Sequence, residues 1–208
     1  SAYMFQETIG DYYLSENNAK FALTMYELAY HLIGPSNYSY LKKWTLLLKM
    51  ADVLETRFTG REEETLRVLE QLFKILEQYS KEKEASLYRV KAVALKAMVL
   101  EKTGKKKGYD FLIQQRRTFE REKPSFHLFQ ICLELAEAFQ EYEELGRYFL
   151  KLAKKNSEIL PKLALMNEKY DRWMFGEQEI ENSEELRKKL QDCYLRLLRL
   201  RYVYGHTK

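Results

Sequence analysis

A four-then-three step of small and apolar residues returns along this chain about every 40 positions. It reads Ala22, Tyr26, Ala29, then Thr65, Leu69, Leu72, then Gly108, Leu112, Gln115, and last Gly146, Leu150, Ala153. The first members lie 43, 43 and 38 residues apart. Spacings of four and three put the three side chains of each set on one face of a helix. Recurrence at this length predicts stacked helical hairpins, each of which buries its apolar face only against its neighbours. The third set is the most irregular, because Gln115 stands where an apolar residue belongs.

Composition agrees with an all-α chain. Eight Gly and three Pro in 208 residues leave long stretches without a helix breaker. Helices are expected at Tyr3–Ser15, then, after a turn at Glu16-Asn17-Asn18, up to about Ile33, and at Tyr40–Arg57. Gly34-Pro35-Ser36 ends the second, since Gly suits a C-terminal cap and Pro cannot continue the helix. Thr59-Gly60 is a break, and Glu62, Glu63 and Glu64 open the next helix with acids at its positive end. Further helices are read through Leu87–Leu100, Gly108–Glu122, Phe126–Gln140 and Glu144–Ser157. Beyond Pro161 a separate helix is expected to about Met174, then a polar stretch over 176–182. Ser183 would cap a long last helix reaching Tyr204. The organisation expected is residues 1–157 as repeats and 158–208 as a C-terminal helical pair closing the stack.

Several function classes lose support at this stage. A net charge of +4 from 35 basic and 31 acidic residues is too balanced to argue for nucleic acid. Cys132 and Cys193 are far apart and outside any Cys/His cluster, so neither a zinc site nor a disulfide framework is expected. A reducing, cytoplasmic compartment follows from that reading. No run of 18 apolar residues suggests a membrane span, and no cofactor is implied. Gly104 and Gly108 flank three lysines but lack the spacing of a phosphate loop. His31, His127 and His206 are isolated, so an enzyme is not expected. The Ser-Ala start reads as a domain of a longer protein.

The first copy, with Ile9-Gly10, Tyr13, Ala22, Tyr26, Ala29 and Pro35, resembles the tetratricopeptide repeat. The resemblance covers about residues 3–157 and is degenerate after the first copy. It implies a right-handed superhelix of about four hairpins that binds a protein or peptide without chemistry. The long period is similar to the variant repeats of bacterial transcriptional regulators, in which a helical region receives a signal.

In that family the first helix of each hairpin lines the concave face. Carried onto this chain, the resemblance points to Glu7, Asp11, Leu48, Asp52, Met98 and Glu137 as ligand-facing residues. Six of the sixteen inward positions are acidic, and one, Lys91, is basic. A neutral or basic peptide is therefore expected there, and an acidic chaperone tail is disfavoured by Glu7 and Asp11. The last helix carries Arg187, Lys188, Arg196 and Arg199 as a candidate docking surface for an acidic partner. Its apolar side would be Leu186, Leu190, Leu197 and Leu200. The alternative function is an oligomerisation module in which this basic helix packs on another copy, giving a homodimer.

Overall fold

The computed structural model describes residues 2–33, 40–166 and 183–205, except the side chains of 159–166 and 183–187. The Gly34-Pro35 stop, Trp173, the polar stretch 176–182 and His206 lie outside the described residues. Ten α-helices and no strand are found among the described residues. They fall into two compact units, residues 1–105 and 106–208.

The first unit holds α1 (Ala2–Ser15), α2 (Ala19–Leu32), α3 (Tyr40–Arg57), α4 (Glu62–Gln78) and α5 (Ala85–Thr103). Each helix packs on the next, and α3 also touches α5. Short turns separate α1 from α2 and α3 from α4, so each pair folds back on itself. Asn18 caps α2 by accepting a hydrogen bond from the Phe21 N–H at 3.2 Å. Gly60, at φ +78°, supplies the left-handed residue between α3 and α4. Tyr26, Trp44, Leu47, Leu69, Leu72 and Tyr88 are fully enclosed. The Trp44 ring lies 5.0 Å from Tyr40 and 5.5 Å from Tyr88, centroid to centroid, as a packing residue of this core.

The second unit holds α6 (Lys107–Gln114), α7 (Arg116–Arg121), α8 (Phe126–Ala138), α9 (Glu143–Met166) and α10 (Ser183–Val203). Ser125 caps α8 through its hydroxyl, which accepts from the Leu128 N–H at 3.0 Å. Phe119, Phe129, Phe139 and Phe149 form the aromatic centre, with Phe119 edge-on to Phe149. Helix α10 lies against both α8 and α9. Its inner seam is Cys193, Leu197, Leu200 and Tyr204.

The repeated step falls on α2, α4, α6 and α9 together with the residue that follows α6. Eleven of its twelve residues are buried, and Gln115 is the exception. At Gln115 the helix expected over Gly108–Glu122 is in fact broken into α6 and α7. The Gln115 N–H reaches both the Phe111 and Leu112 carbonyls, the shared bond of a helix end.

Pro161 does not end a helix as expected: α9 runs unbroken through it to Met166. Proline lacks the N–H that would bond the carbonyl four residues earlier, which is that of Ser157. The Tyr194 hydroxyl of α10 donates to that carbonyl at 2.9 Å. A side chain from a neighbouring helix thus satisfies the acceptor that the proline leaves open.

Candidate functional site

The candidate ligand-facing carboxylates of the first unit stand on helices tied together by lysines. Lys49 of α3 reaches Glu7 at 3.0 Å and Asp11 at 3.0 Å, both on α1. Lys42 adds a longer contact to Glu7 at 3.8 Å. One step along, Lys91 of α5 lies 3.9 Å from Asp52 of α3. Lys102 of α5 donates to the Glu55 carboxylate at 2.8 Å and to the Glu55 backbone carbonyl at 2.9 Å. Four acids therefore meet four lysines across α1, α3 and α5. Glu7 and Glu55 are sheltered, whereas the Asp11 and Asp52 carboxylates are nearly half-exposed.

Tyr26 links this ladder to the hairpin core. Its hydroxyl donates to Asp11 at 2.6 Å, and the Lys49 ammonium lies 5.5 Å from its ring centre. Burial, followed by that bond to a carboxylate and the negative charges nearby, pushes the Tyr26 hydroxyl well above the usual phenol range. Thr45, also an inward position by the resemblance, exchanges a 2.9 Å hydrogen bond with Tyr88 inside the core.

The remaining candidates separate by environment. Leu48 is 3% exposed and belongs to the core, so it presents nothing to a ligand. Met98 is partly exposed on α5. Glu137 of α8 accepts two hydrogen bonds from Arg196 of α10, at 2.9 and 3.2 Å. That pairing, ahead of the opposing effect of burial, raises the Arg196 pKa. Arg196 is thus engaged within the unit and only partly exposed, and Leu197 is buried, so neither is a free docking residue. Lys188 and Arg199 are exposed, and the side chain of Arg187 lies outside the described residues.

Two features escaped sequence reasoning. Lys49 is separated from its acids by 42 and 38 residues, so no local spacing connects them. The outer face of α10 leaves Leu195, Leu198 and Tyr202 exposed, and in the sequence it is masked by the richer apolar run of Leu186, Leu190, Leu197 and Leu200. Its signal is a three-then-four spacing, which α10 carries twice.

Among the described residues no group of three His, Cys, Asp or Glu side chains could hold a metal ion. No described helix is long and apolar enough to cross a membrane. Cys132 and Cys193 are buried thiols, and burial raises the pKa of both. A surface cavity of about 300 Å³ in the second unit includes Arg116, Arg147 and Lys151 in its lining. Two of these cations are engaged: Arg147 bonds Glu143, and Arg116 sits 5.8 Å from the centre of the Tyr148 ring. Comparison of this chain with family models, curated proteins and solved structures found no match.

Proposed function

We propose that this chain is a non-catalytic helical-repeat domain of the tetratricopeptide kind that binds a peptide or protein partner. In this reading its hairpins stack into a right-handed superhelix, and the first helices of successive hairpins form the receiving face. The observation that carries it is the ladder across α1, α3 and α5, where lysines hold the helices in register. The same pairs leave the Asp11 and Asp52 carboxylates within reach of solvent. Because each acid has a lysine beside it, the face is charge-balanced and suits a neutral peptide better than a strongly basic one. The long repeat period supports a place in a bacterial transcriptional regulator, as the part that receives the signal.

The test begins with a displayed peptide library panned against the whole chain. Affinity of a selected peptide is then measured for the parent and for Asp11→Lys and Asp52→Lys. A loss of about tenfold or more in each variant, with helicity unchanged, is expected from losing a contact worth about 1.4 kcal/mol. Unchanged affinity in both would remove this face from the binding site.

A further inference from the structure

Helix α10 has two apolar seams, and only one is used within the unit. Cys193, Leu197, Leu200 and Tyr204 are enclosed against α8 and α9. On the opposite side Leu195, Leu198 and Tyr202 are 54%, 57% and 86% exposed. Lys188, Gln191, Leu195, Leu198 and Tyr202 follow steps of three, four, three and four, the spacing of a helix that meets another helix along a seam. Asp192 and Arg199 flank this seam on one side, seven residues apart and exposed. At that separation they are two turns apart and do not reach each other along the helix.

We infer that this outer face pairs with the same face of a second copy of the chain, the two α10 helices running antiparallel. Setting Leu195 beside Leu198 of the second copy places Leu198 beside its Leu195 by the twofold axis. The same register puts Gln191 beside Tyr202 at both ends, and Lys188 then lies past Val203, the last helical residue of the other copy. It also brings Asp192 of each copy next to Arg199 of the other, so two opposite-charge pairs bracket the leucine layers. A parallel pairing would instead stack Lys188 on Lys188 and lose both Asp192–Arg199 pairs. Charge therefore selects the antiparallel arrangement. The contact runs over roughly 20 Å of helix, at 1.5 Å per residue. An interface of that size is small, so the pairing is a reversible one.

This inference is independent of the peptide-binding face, which lies on the other unit. The test is sedimentation velocity on the whole chain over a concentration series, at low and high salt. The expected result is a mass that rises from one chain towards two, with weaker association at high salt. Leu195→Glu should hold the mass at one chain with helicity unchanged. Asp192→Arg and Arg199→Asp should each weaken association by about tenfold or more, and the double variant should restore it. A single-chain mass at every concentration overturns the proposal, as does a dimer that survives Leu195→Glu. Failure of the double variant to recover overturns the antiparallel register. A monomer that instead binds an acidic amphipathic helical peptide at this face would assign it to another protein.

Discussion

Gly10 stands on α1 where the ring of Tyr26 crosses from α2. A methyl group added there would lie 2.6 Å from Tyr26 Cε1 and 3.3 Å from the Ala22 carbonyl oxygen. The ring cannot swing away, because it is 1% exposed and its hydroxyl is tied to Asp11. Alanine at this helical position would gain about 1 kcal/mol of helix propensity. Overpacking a buried ring costs about 1–3 kcal/mol. The second effect is expected to win, so Gly10→Ala should lower the chemical-denaturation midpoint. An unchanged or higher midpoint would mean that the two helices part at no cost. The Ile9-Gly10 pair and the small step residue Ala22 were legible in the sequence because the contact they make is local to one hairpin.

At the scale of the element, α9 carries a proline that its neighbour accommodates. The Tyr194 hydroxyl is the donor to Ser157, whose usual amide donor is missing at position 161. Tyr194→Phe should destabilise the chain by about 1 kcal/mol, the net worth of one such bond. Restoring an N–H with Pro161→Ala should make the same Tyr194→Phe change nearly neutral. A double-mutant cycle on denaturation midpoints measures this coupling. Additive effects would show that the hydroxyl and the missing N–H are unrelated. The sequence predicted a helix end at Pro161 because a proline's local cost was visible and a hydroxyl more than thirty residues away was not.

For the molecule as a whole, tyrosines with raised pKa contribute to how it responds to alkali. Tyr26 and Tyr148 keep their protons well above the usual phenol range, and Tyr204 is pushed up to about 12, each chiefly through burial. A raised folded-state pKa gives stability that is complete below the unfolded value of about 10 and lost as pH climbs through the folded one. Between about pH 10 and 12 the unfolded chain releases these protons and the folded chain keeps them, so stability should fall. The slope contributed by Tyr26 approaches about 1.4 kcal/mol per pH unit. Denaturation midpoints followed through that window should decline less steeply in Tyr26→Phe than in the parent. Identical slopes would show that Tyr26 ionises in the folded state as freely as in water.

What the sequence determined by itself is the all-helical class, most of the helices and the buried step on their faces. The four-then-three step depends only on helix geometry and hydrophobicity, both local, and eleven of its twelve members are buried. Its single failure, Gln115, is also where the chain breaks α6 from α7. Tertiary structure alone decided which charges meet. Lys49 finds Glu7 and Asp11, and Arg196 finds Glu137, across loops of roughly 40–60 residues. The richer apolar side of α10, with Leu197 and Leu200, was legible in the sequence and is the side that α8 and α9 cover. Only their packing decided that Leu195, Leu198 and Tyr202 are left facing water, because burial rewards apolar area only where another element reaches it.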